Sequence, residues 1–223
     1  MTKVAIITAI CGNVAKLHTP NNIFKDVDYF AFVDKPQKCE GWTQLPALDF
    51  SLDSLYRNRR NAKIYKIMPH LFFPDYNYWI WHDPTHEVIE NPLEFCEQYL
   101  HNKDLGVFKH THRTCIYEEA SELLKLKYDL PENIHRQMDY YRSQCYPKNN
   151  GLYELPTFIR KNTDKIKVLN LRWWEQICKY SSRDQLSLPF VAWKTAVSIC
   201  TLPGYANGGL HKNKLIPQIR TKS

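Results

Sequence analysis

The chain alternates between two hydrophobic patterns. Short apolar runs bounded by polar turns predict buried strands, and stretches with apolar residues three and four apart predict helices. The run "KVAIITAI" at 3–10 is continuous, so it predicts a strand covered on both faces. Further strands are predicted at 28–34, 42–48, 76–83, 85–89 and 104–110. Extended segments are expected at 152–160 and 167–170, with a last strand at 197–204. Helices are predicted over 52–72, 91–100, 115–128, 131–145, 171–182 and 183–196. Two of them open on proline at the first helical position, after Asn91 and Leu130. Strands and helices alternate most regularly in the first half, which predicts an α/β layered fold with a mostly parallel sheet. No repeat, low-complexity block or linker divides the chain, so residues 1–223 are expected to form a single domain with a basic tail at about 205–223.

Composition adjusts this picture in three ways. Seven cysteines, an odd number without a C-x-x-C pair, argue against a disulfide framework and against zinc–thiolate ligation. No apolar run reaches the roughly 18–20 residues needed to span a bilayer, and the first residues are too strand-like for a signal peptide, so a soluble, cytoplasmic protein is expected. Thirty basic against twenty-three acidic residues give a net charge of +7, which favours an anionic partner: a nucleotide-sugar, a nucleic acid or an acidic surface. The basic residues cluster at 56–66, 108–113, 160–167 and in the tail.

Ligands in layered α/β folds sit outside the carboxyl ends of the strands. Asp34, Asp83 and His110 fall at such ends. Asp83 lies in "HDPTH", between His82 and Pro84, with His86 three positions on. One carboxylate with an imidazole can hold Mn²⁺ or Mg²⁺ while leaving positions open for phosphate oxygens. His86 and His211 are the imidazole candidates, and a strand-end turn is the alternative. His211 lies in "NGGLHKNK", where Lys212 and Lys214 suit a metal-bound diphosphate. In "SRDQLS", Arg183 and Asp184 open a helix. Asp184 is either an acid capping the helix dipole or a carboxylate aimed into the cleft, as base or as clamp for a sugar hydroxyl.

The order and spacing of "RRNAKIYKIMPHLFFPDYNYWIWHD", of His110 and Arg113 leading into "YEEA", and of "SRDQLS" resemble a known family. It is the glycosyltransferase-like family of plant mucilage and turgor proteins and their microbial relatives, over about residues 4–190. The resemblance implies a GT-A-like, Rossmann-like fold and a UDP- or GDP-sugar donor. It also implies that Asp83 takes the place of a strand-end aspartate, with "WHDPTH" where the family has "W-I-D-G". Arg59, Asn61, Lys63 and Lys66 correspond to a helix that faces the diphosphate or sugar. By the usual layout of such folds the nucleotide lies over "TAICGN" and Asp34, and a late histidine, here His211, binds metal. Three functions follow as expectations. The first is a metal-dependent glycosyltransferase acting on a glycan or protein-linked glycan. The second is the same chemistry on hydroxymethylated DNA bases. The third is a non-catalytic glycan- or nucleotide-binding module.

Overall fold

The computed structural model describes residues 2–12, 15–51, 55–86 and 88–206. Seven strands form one sheet: β1 (Val4–Ile10), β2 (Val27–Val33), β3 (Thr43–Pro46), β4 (Tyr78–His82), β5 (Leu105–Lys109), β6 (Tyr153–Lys161) and β7 (Ile199–Thr201). Their order is β3-β2-β1-β4-β6-β5-β7. All neighbours run parallel except β6, which pairs antiparallel with both β4 and β5. Every residue of β1 is buried, as its unbroken apolar run requires.

Helices cover both faces. α1 (Arg57–Ile67), α3 (Ile116–Lys125), α4 (Pro131–Ser143), α5 (Asp164–Lys179) and α6 (Asp184–Thr195) build the larger core, over Ala5, Ile7, Trp79, Trp81 and Phe158. α2 (Pro92–Leu100) covers the other face, where Val4, Ile6, Ile80 and Phe108 point. The α/β layering and mostly parallel sheet are thus as the hydrophobic pattern predicts. All seven cysteines are free thiols, and among the described residues no helix is long and apolar enough to cross a membrane.

Three expectations fail. Residues 85, 86, 88 and 89 form no strand. Both edges of β4 are already paired, Pro84 offers no N–H, and the chain turns so that the His86 N–H donates to the Asp83 carbonyl at 2.9 Å. Residues 167–170 are helical rather than extended, because α5 starts at Asp164. Thr163 caps it, accepting from the Ile166 N–H at 3.3 Å, and Ile166, Leu169, Trp173 and Ile177 make one buried face. The first helix is shorter than 52–72: it runs only over Arg57–Ile67, and Pro69 opens a separate 3₁₀ turn, Pro69–Leu71.

Candidate active site

From β1 the chain adds β2 and β3 on one side, then returns to place β4 on the other. Strand order therefore reverses between β1 and β4, the position at which layered α/β folds have a crevice at the carboxyl ends of their strands. Gly12 follows β1 with φ +84°, and its N–H donates to Asp34 Oδ2, just past β2, at 2.7 Å. A Cβ on Gly12 would lie 1.9 Å from Asn58 Nδ2, so only glycine lets α1 approach this loop so closely.

α1 brings Lys63 and Lys66, one turn apart on one face, to the crevice. Both ammoniums meet a single carboxylate oxygen, Asp184 Oδ2, at 2.6 and 2.7 Å. Asp184 opens α6 and is 4% exposed. Lys66 Nζ lies 5.4 Å from the Trp81 ring centroid and 5.7 Å from that of Phe158, and 3.9 Å from Asp83 Oδ1. The Trp81 indole N–H donates to that same Asp83 oxygen at 2.8 Å. Alternation along β4 sets this up, since Trp81 and Asp83 point to one face and His82 to the other. Burial works against ionising Asp184, but Lys63 and Lys66 override it and hold the carboxyl far below the usual carboxylate range. Burial pushes the Lys63 ammonium down to about 8 despite its bond to Asp184.

The rest of α1 is occupied in holding the helix. Arg59 donates to the Tyr128 carbonyl at 2.7 Å. Arg60 donates to the carbonyls of Ile177 and Tyr180. Asn61 accepts from the Ser51 N–H and donates to Asp49. Arg59 and Asn61, expected at the diphosphate or sugar, are here bonded to the Tyr128 carbonyl and to Ser51 and Asp49. Two partners escaped the sequence reading. Arg160, fully buried on β6, donates to the Lys66 and Ile67 carbonyls at 2.6 and 3.1 Å, a cation at the negative end of α1. Asp129 accepts from Ser181 Oγ, Ser182 N and Ser182 Oγ at 2.8–2.9 Å and so fixes the turn before Asp184. An arginine inside an alternating strand and the Ser-Ser before a helix start were the available signals.

The other candidates separate from this cluster. Arg183 lies beside Asp184 but stacks over Tyr128 and donates to Gln185. His110 and Arg113 form their own group at the end of β5: Arg113 Nε donates to Glu119 at 2.7 Å, and His110 Nδ1 accepts from the His112 and Arg113 N–H groups. His86 lines a small pocket on the opposite face with Trp42 and His82. Both its ring nitrogens are engaged there, by Thr85 Oγ1 and the Ala206 carbonyl, each at 3.0 Å. His211, Lys212 and Lys214 lie outside the described residues.

Among the described residues, no three His, Cys, Asp or Glu side chains converge as a metal cluster. Asp83 offers a half-exposed carboxylate whose Oδ2 has no partner among the described residues. That donor set fits Mg²⁺ or Mn²⁺ carried in on substrate phosphates, which needs only one or two protein carboxylates, and does not fit a preformed all-protein cage.

Comparison with known proteins identifies the family of the chain. The chain is 26% identical over 149 residues, 62% of its length, to the Arabidopsis thaliana protein described as "Probable hexosyltransferase MUCI70", and spans 26% of that protein. Among solved structures, mouse xyloside xylosyltransferase 1 in its apo form aligns with 90% of this chain and 84% of its own, with a TM-score of 0.49 and 9% identity. Residues 51–202, which carry both lysines, Asp83 and Asp184, match the TOD1/MUCI70 glycosyltransferase-like domain, and the chain belongs to that family.

Proposed function

We propose that the protein is a glycosyltransferase that moves a sugar from a nucleoside-diphosphate sugar to a hydroxyl of a glycan acceptor. The observation that carries this is the Lys63–Lys66 pair, two ammoniums on one carboxylate oxygen at the crevice where strand order reverses. Breaking the bond between sugar and diphosphate builds negative charge on the leaving group. Fixed cations aimed there stabilise that charge without reorganising. The Gly12–Asp34 loop supports the nucleoside end, and the lysines the phosphates.

Asp184 serves as anchor rather than base. A general base works best with a pKa near the operating pH, and two ammoniums keep this carboxyl far below it. Its Oδ1 has no partner among the described residues and is the acceptor for a sugar hydroxyl. Mn²⁺ or Mg²⁺, when bound, adds charge neutralisation at the phosphates. Asp83 would hold it, and His211 is the second ligand we propose. A DNA acceptor rests on net charge alone.

The test is a panel of UDP- and GDP-sugars with Mn²⁺, Mg²⁺ or EDTA, scored by thermal shift and donor hydrolysis. One donor is expected to raise the melting temperature and to be hydrolysed, with Asp83→Asn losing the response to Mn²⁺. No shift and no hydrolysis with any donor would refute the reading. Full metal response in Asp83→Asn would remove only the metal assignment.

A further inference from the structure

Helices α4, α5 and α6 leave an open groove between them, away from the lysine cluster. The buried Phe190 and Gln176 line it together with Tyr140, Tyr180, Arg172 and Lys194. Tyr140 is 37% exposed, and its ring stacks near that of Tyr180, with centroids 5.8 Å apart and planes 21° apart. Gln176 is 6% exposed. Its Oε1 accepts from the Tyr141 hydroxyl at 3.1 Å, while its Nε2 has no partner among the described residues. Lys194 Nζ lies over the Phe190 and Trp193 rings and donates to Gln144 at 3.0 Å.

This combination has a chemical meaning. A pyranose ring presents an apolar C–H face and a rim of vicinal hydroxyls. Tyrosine planes accommodate the first, and amide, guanidinium and ammonium donors accommodate the second. The Gln176 amide N–H, with no protein partner among the described residues, is open to donate to a ligand hydroxyl. The groove is also tied to the crevice. Tyr180 lines it, the next two residues are clamped on Asp129, and Asp184 follows. Along α6, Lys194 lies about 15 Å from Asp184, at 1.5 Å per residue.

We propose that this groove is an acceptor subsite that binds an oligosaccharide chain whose end is presented to the crevice. The acceptor role rests on the transferase reading above. Three cationic side chains, Arg172, Lys179 and Lys194, line the groove against one carboxylate, Glu175, so a uronic-acid chain is expected to bind more tightly than a neutral one at low salt.

The experiment is calorimetric titration of the full chain with a cello-hexasaccharide and with a uronic-acid hexasaccharide. It is repeated on Tyr140→Ala, Tyr180→Ala and Lys194→Ala, each checked by thermal melting. The expected result is binding of at least one saccharide, roughly tenfold weaker in each tyrosine variant. In transfer assays the saccharide KM rises with it, while donor hydrolysis without acceptor is unchanged. Absence of saccharide binding, or equal binding by all variants, overturns the groove; donor hydrolysis that persists then leaves the transferase reading intact. Saccharide binding lost in the variants, in a protein that hydrolyses no donor, sinks the transferase reading and the acceptor role together. Should Tyr180→Ala not fold, Tyr140→Ala and Lys194→Ala, both on exposed positions, decide the matter.

Discussion

Two buried charge clusters stand at the carboxyl edge of the sheet, and they differ in what they leave over. At the end of β5, Glu119 is met by Arg113, burial holds the His110 imidazole pKa below its ordinary value, and the ring accepts from two backbone N–H groups. A second buried acid, Glu154 from β6, accepts from the Thr111 N–H and acts on His110, so this cluster carries more carboxylate than cation. At the crevice, two lysines from α1 share one oxygen of Asp184 from α6, and the nearest further acid, Asp83, is half exposed at 3.9 Å. The first cluster ends a strand and starts a helix. In the second, two ammoniums share one oxygen of a buried carboxylate, and the half-exposed Asp83 balances them only at longer range. Similar residue types thus give an acid-rich cluster at the end of β5 and a lysine pair at the crevice, and the proposed phosphate site rests on the second.

The comparison can be broken most forcefully at Asp184. Asp184→Ala strands two buried ammoniums, and we expect about 3–5 kcal/mol of lost stability in urea unfolding. Donor hydrolysis should fall to background under conditions where the variant is still folded. Unchanged stability would mean the carboxylate is no keystone.

Lys66→Met keeps the apolar stem against Trp81 and Phe158 and removes the charge. Donor affinity should fall by about 10- to 100-fold, the range of a charge-assisted hydrogen bond, measured by calorimetry. An equal affinity would move the diphosphate elsewhere.

A pH titration gives a smaller effect with a definite sign. Lys63 is charged below about 8 and loses its proton above it. Donor binding should therefore be strongest below that value and weaken roughly tenfold for one unit above it. Stability should move the other way. Between about 8 and 10.5 the unfolded chain binds more protons at this residue than the folded one, so the Lys63 contribution to stability rises with pH in that window. Lys63→Met should flatten both profiles.

Glu119→Gln is the contrast. It should cost about 1–3 kcal/mol by unpairing Arg113 and leave donor affinity within about twofold. A large loss of donor affinity would make the β5 cluster part of the site.

Much of this was legible in the chain. Continuous apolar runs gave β1 and β4, and Pro after Asn91 and Leu130 marked two helix starts. The missed helix at 167–170 was legible too, in the 3-4-4 spacing of Ile166, Leu169, Trp173 and Ile177, but the β-branched start of "KVLN" reads as strand when taken in a short window. The false strand at 85–89 failed because strand formation depends on a free edge, which a local pattern does not report.

Within "RRNAKIYK", period 3.6 puts Lys63 and Lys66 on one face, so the sequence alone determined that two cations travel together. It also determined that Asp83 ends a buried strand, and that Arg183 and Asp184 open a helix. Only the tertiary structure decided that Asp184 is the carboxylate those lysines share, that Arg59 and Asn61 bond to Tyr128, Ser51 and Asp49, and that His86 is engaged on the opposite face. The reason is physical. Periodicity fixes the direction of a side chain within its own element, whereas a pairing between residues 121 positions apart depends on how whole helices pack on the sheet.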